Sequence, residues 1–104
     1  MTTTAQAVVN ALQAKAVEAS AIAGFDVFTQ GTGFLIRTDT RDYRFRPEGG
    51  NIVFQIVDIE GREVFRALLM AGGQARDMLA DQIARIAADC QVARINAGGL
   101  VSQR

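Results

Sequence analysis

The chain has 104 residues, the size of one domain, and 49% of them are apolar, which excludes an intrinsically disordered chain. Its 11 basic and 11 acidic residues cancel, which argues against a partner held mainly by charge, such as bulk nucleic acid or an anionic membrane. The absence of His removes the commonest general base and metal ligand, and the single Cys90 excludes an intrachain disulfide.

The start of the chain gives no targeting signal. Met1-Thr2-Thr3-Thr4 carries neither the basic nor the apolar region of a secretory peptide. The apolar runs are far shorter than the ~18 residues that cross a bilayer. We therefore expect a cytoplasmic protein that does not bind membranes.

The first predicted element is an amphipathic helix over residues 4–23. Thr3 followed by Gln6 is the pattern of a capping box, and Gly24 is typical of the residue that ends a helix. Its outer face is rich in alanine, which indicates either high helix propensity alone or a self-association surface. The buried face at helical spacing consists of Val8, Val9, Leu12, Ala16, Ala19 and Ala23.

A change of hydrophobic period to two predicts strands from the end of this helix onward. The predicted strands are residues 25–30, 34–39, 42–46, 51–59 and 62–70. The turns between them are so short that consecutive strands must be antiparallel neighbours. The fourth strand is apolar on both faces, which is typical of a central or covered position.

A second helix is predicted over residues 73–90, with Leu79, Ile83, Ile86 and Cys90 as its buried stripe. Cys90 is therefore expected to be buried and unreactive. Val92 and Ile95 would lie on the polar side of a continued helix. We therefore expect a helix end near Cys90, a short extended segment over residues 92–95, and frayed ends at residues 1–3 and 97–104.

These elements predict one α+β domain over residues 1–104. Two amphipathic helices need an apolar surface, and a sheet supplies it. The expected fold is a two-layer sandwich with an N-terminal helix, a five-stranded antiparallel meander and a C-terminal helix.

The patterns that suggest catalysis or cofactor binding all have simpler explanations. The G-x-G of residues 31–33 lies between strands, whereas a phosphate loop opens into a helix. Glycines 72–73 do open a helix, but no Walker lysine follows them. Asp58, Glu60 and Glu63 cluster at a hairpin tip, where carboxylates are normally solvated. We predict no catalytic residue, no metal and no cofactor, and hence not an enzyme.

Arginines on the strands are the main candidates for a functional site. If both helices cover one face of the sheet, the other face carries arginines mixed with apolar and aromatic side chains, as protein interfaces do. An ordinary solvated face with Asp39, Asp42 and Glu63 pairing the arginines is the alternative. The predicted partner-binding residues are Phe28, Leu35, Arg37, Arg44, Arg46 and Arg66.

The function predicted from this face is noncatalytic binding of a protein partner, with homodimerisation as a further option. Small bacterial or phage inhibitors, immunity and antidefence proteins, and chaperones share this size and composition. One alternative is a nucleic-acid-binding domain that uses the strand arginines with Tyr43 or Phe45 as a stacking platform. Another is a small enzyme subunit, which the absence of His disfavours.

Overall fold

The computed structural model describes residues 3–102, and side chains up to residue 93. Two helices flank five strands, and the sheet order β1-β2-β3-β4-β5 follows the chain, with every neighbouring pair antiparallel. The predicted α+β meander is confirmed. The elements are α1 (Thr4–Ala23), β1 (Asp26–Gln30), β2 (Gly33–Arg37), β3 (Arg41–Glu48), β4 (Asn51–Asp58), β5 (Glu63–Met70) and α2 (Gly73–Ser102).

Helix α1 begins and ends where the sequence predicts. The Thr3 hydroxyl accepts a hydrogen bond from the Gln6 backbone N–H at 3.1 Å, and Gly24 closes the helix with a φ of 83°. The Gln6 side chain does not complete the predicted capping box. It donates to the Thr32 carbonyl at 2.8 Å and so ties α1 to the β1–β2 turn.

The core lies between the helices and one face of the sheet. Phe34 stacks on Phe45 with ring centroids 4.6 Å apart, and Phe45 lies 5.0 Å from Phe54. α1 packs on this face from β1 to β4, and α2 packs chiefly against α1. The helices contribute the buried side chains Val9, Leu12, Ala16, Leu79 and Ile83.

Close packing also explains the glycine at the start of β2. A Cβ on Gly33 would collide with the Phe45 carbonyl and lie 2.8 Å from the Arg46 Cα. Any side chain at this position would therefore push β2 away from β3.

Helix α2 departs from the sequence-based prediction at its C-terminal half. It continues past Cys90 to Ser102, so the predicted end at Cys90 and the extended segment over 92–95 are wrong. Residues 97–102 belong to the same helix, and residues 1–2 and 103–104 lie outside the described residues. A 30-residue helix is about 45 Å long, whereas an eight-residue strand spans about 27 Å. The helix therefore outruns the sheet, and the lost burial pattern marks where the core ends, not where the helix ends.

Cys90 lies at this transition and is half-buried, not buried as predicted. Its side chain borders an open groove between Ala23 and the β2–β3 turn. Burial and the nearby Asp89 carboxylate raise the pKa of the thiol. Low reactivity therefore stays a prediction, supported by the direction of this shift.

Among the described residues, no helix combines the length and apolar character needed to cross a membrane.

Candidate binding face of the sheet

The strand register places all six predicted partner-binding residues on the sheet face away from the helices. One row crosses the five strands through Phe28, Leu35, Arg44, Gln55 and Arg66. On one side of it lies a row formed by Asp26, Arg37, Asp42, Val57 and Glu63. On the other side lie two shorter rows: the first contains Arg46, Val53 and Leu68, and the second contains Glu48, Asn51 and Met70. These residues are called the open face below.

The open face has a closed apolar centre although no described helix lies over it. Leu35, Val53 and Val57 are only 6%, 2% and 4% exposed. Their neighbours on the same face are long polar side chains, and the methylene groups of such side chains cover apolar residues beside them. Phe28 and Leu68, on the two edge strands, are 44% and 63% exposed. The face therefore combines a covered centre with exposed apolar groups at both edges.

Arg37 is held in place from two sides. Its guanidinium donates two hydrogen bonds to the Asp42 carboxylate, at 2.9 and 3.0 Å, and its Cζ lies 5.2 Å from the Phe28 ring centroid. The hydrogen bond from Arg37 lowers the pKa of Asp42 and raises that of Arg37. A forked, stacked arginine of this kind is already satisfied within the chain.

A second network holds the arginines at the other side of the face. Arg46 reaches Gln55 and Glu48, each at 3.4 Å. The Gln55 amide donates to Glu63 at 2.7 Å, and Arg66 donates to the same carboxylate oxygen at 2.7 Å. These donors, Arg66 first, lower the pKa of Glu63.

Arg44 lies between these networks. Its charge contributes to the lowered pKa of Asp42, after the hydrogen bond and the charge of Arg37. It makes no ion pair with any described residue, and its Nε is buried without a hydrogen-bond partner. Buried donors in native proteins nearly always have an acceptor, and an unmet one needs a physical explanation. Among the four arginines of the open face, Arg44 is thus the one without an acidic partner in ion-pair range in the described part of the chain.

The two alternative interpretations of the face fare differently. Asp42 and Glu63 do pair with arginines, as a solvated face would require, whereas Asp39 takes part in no described ion pair. The stacking platform of the nucleic-acid alternative is wrong, because Tyr43 and Phe45 lie on the helix side and Phe45 is only 1% exposed.

A second exposed apolar region, missed by the sequence analysis, surrounds the edge strand β5. Val64, Phe65, Leu68, Met70 and, on α2, Met78 are all about half exposed or more. An open groove of about 450 Å³ lies between β5 and α2 on the helix side. The sequence does contain a sign of this region, because β5 is the last strand of the meander and carries apolar residues on both faces.

Among the described residues, no group of His, Cys, Asp or Glu side chains is arranged to hold a metal ion. Comparisons of the chain with protein-family models, with curated proteins and with solved structures gave no match. The geometry of the open face therefore carries the functional argument.

Proposed function

We propose that this protein is a noncatalytic protein-binding module that holds its partner on the open face. The observation that supports this most is Arg44, a central and half-buried arginine with an unmet donor. Leaving a buried donor unmet costs free energy in the unbound protein. The Arg44 guanidinium also has no ion pair with a described residue, and we infer that the partner supplies the missing carboxylate.

The chemistry of the face indicates what the partner presents. A guanidinium takes a planar carboxylate in a forked pair, which makes an Asp or Glu side chain the best acceptor for Arg44. Phe28 and Leu68 at the edges of the face offer apolar contact around this centre. The proposed epitope is therefore one acidic side chain surrounded by apolar groups. By analogy of size and composition, we propose a role such as that of small bacterial or phage inhibitors, immunity and antidefence proteins, or chaperones.

Charge balance disfavours the nucleic-acid alternative. The four arginines of the open face are matched by four carboxylates, those of Asp26, Asp42, Glu48 and Glu63. A phosphate backbone would meet these carboxylates as well as the arginines, and its affinity rests on counterion release. Three of the four arginines already have acidic partners.

The proposal is tested by comparative capture from a lysate of the native host. Three immobilised baits are used: the unmodified protein, Arg44→Glu and Arg76→Glu. Arg76 is the matched control, because it is an exposed arginine on α2, away from the open face. We expect a protein that is retained by the first and third baits and lost from Arg44→Glu. Equal retention on all three baits, or capture of nucleic acid instead of protein, would contradict the proposal.

A further inference from the structure

We propose that two copies of this chain pair through their β5 strands, in antiparallel fashion, to form one continuous ten-stranded sheet, five strands from each copy. This inference rests on the β5 edge and goes beyond the function proposed for the open face, with which it shares Arg66 and Leu68; its test is the oligomeric state, which does not depend on any other partner.

The first argument is the unprotected edge. β5 has eight residues and, among the residues that the structure describes, pairs only with β4, so the backbone groups on its other side have no strand partner there. Proteins usually protect such an edge with charged side chains, Pro or a covering segment. Residues 63–70 contain neither Pro nor Lys, and their two charged residues, Glu63 and Arg66, form an ion pair with each other. The strand does have a bulge opposite Ile56 and Val57, but it lies at the start and leaves residues 65–70 regular.

The second argument concerns which backbone groups are free. The Ala71 N–H donates to the Gly50 carbonyl at 3.1 Å, which fixes the phase of the β4–β5 ladder. Because bonded positions alternate along an antiparallel pair, Phe65, Ala67 and Leu69 bond to β4. Arg66, Leu68 and Met70 therefore turn their N–H and C=O groups to the open edge.

These outward groups restrict the possible symmetric registers. A twofold axis at Arg66 would place two arginines opposite each other, which is unfavourable. An axis at Leu68 would oppose Arg66 to Met70 and place Phe65 opposite residue 71, which lies beyond the end of β5. An axis at Ala67 puts small side chains at the centre and pairs Phe65 with Leu69 of the second copy.

The register centred on Ala67 also buries apolar groups on both faces of the sheet. It opposes Phe65 to Leu69 of the second copy on the helix side, and it brings Met70 of each copy next to the bulge that contains Val64 of the other. Arg66 and Leu68 of the two copies form two bonded pairs, with about four backbone hydrogen bonds. Half of the large apolar side chains exposed in the described residues, including Met78 beside the strand, cluster at this edge. Because the pairing is twofold, each β5 covers the open edge of the other, and no β5 edge remains for a third copy to bind.

The test is sedimentation equilibrium of the full chain, with two variants of Leu68. Leu68→Pro removes an outward N–H and no bond to β4, whereas Leu68→Ala removes only the side chain and is the matched control. We expect a dimer for the unmodified chain, a weaker dimer for Leu68→Ala and a monomer for Leu68→Pro. A monomeric unmodified chain at concentrations up to about 100 µM would overturn the proposal.

A crosslink tests the register even if the proline variant fails to fold. In a Cys90→Ser background, Ala67→Cys would bring two Cα atoms to about 4.5 Å, within the range of a disulfide. We expect a covalent dimer under mild oxidation, and none from the control Phe28→Cys on the opposite edge strand β1. A dimer that does not crosslink through position 67 would refute this register.

Discussion

Replacing Arg44 by Met should leave the unbound protein as stable as before, or more stable. The substitution removes the buried Nε that has no hydrogen-bond partner, and it keeps an unbranched side chain over the open face. An unmet buried donor costs about 1–3 kcal/mol. Because Arg44 is only half-buried, we take the lower end and expect the free energy of unfolding to stay level or rise by about 1 kcal/mol.

The assay is urea unfolding followed by far-UV circular dichroism, with equal m-values as the check that the variants unfold alike. Arg46→Met is the matched control, since it is the same substitution on the same strand and face. Arg46 has partners in Gln55 and Glu48, so its loss should lower stability slightly, by up to about 1 kcal/mol. If Arg44→Met lost clearly more stability than Arg46→Met, Arg44 would be satisfied within the chain and the argument for an external acceptor would fail.

Three further predictions concern the rest of the domain. Gly33→Ala should lower the free energy of unfolding by about 1–3 kcal/mol, measured by thermal or urea denaturation, because the new Cβ would overlap β3. Gly50→Ala is the control, since a Cβ there meets open space, and it should be nearly neutral. Equal effects of the two substitutions would refute the close approach of β2 and β3 at Gly33. The half-buried Cys90 thiol, whose pKa is raised, should react with a thiol reagent more slowly at neutral pH than the same thiol in urea, and equal rates would show that the fold gives no protection. Since Arg37 lowers the pKa of Asp42, this pair should stabilise the fold above the ordinary carboxyl pKa and lose that effect as the pH falls through the lowered value. Asp42→Asn should therefore destabilise most at about pH 7, and its deficit should shrink progressively as the pH falls below the ordinary carboxyl pKa. A deficit that does not change with pH would exclude the ion pair as the cause.

The sequence predicts the layers of this fold well because its hydrophobic periods are clear. The alternation along β3 places Tyr43 and Phe45 on one side and the arginines on the other, and pairing with neighbouring strands then assembles the open face. What the pattern could not predict is how each arginine is satisfied. The isolation of Arg44 depends on cross-strand neighbours and side-chain directions, which arise only from the assembled sheet.

The wrong predictions have a common physical cause. Burial patterns report contact with the core, and a helix needs no such contact to keep its backbone hydrogen bonds. Helix α2 therefore continues beyond Cys90 although Val92 no longer points to the core, and its side chain is 55% exposed. The exposed β5 edge was missed for a similar reason. The apolar pattern of β5 does not tell whether a helix covers the strand, and in the structure α2 packs chiefly against α1 and leaves a groove beside β5.

The most direct test of the binding proposal is the affinity of the captured partner for Arg44→Ala and Phe28→Ala, measured by calorimetry at low and moderate salt. Phe28 is the test residue because it is 44% exposed, whereas Leu35 is buried in the centre of the face. Arg76→Ala is the control for loss of one exposed positive charge, and urea unfolding checks that Phe28→Ala remains folded. We expect each open-face variant to weaken binding by roughly 1–3 kcal/mol, with only a modest effect of salt, because buried contacts are poorly screened. A silent Phe28→Ala together with a steep loss of affinity in salt would contradict this account and indicate binding by surface charge alone.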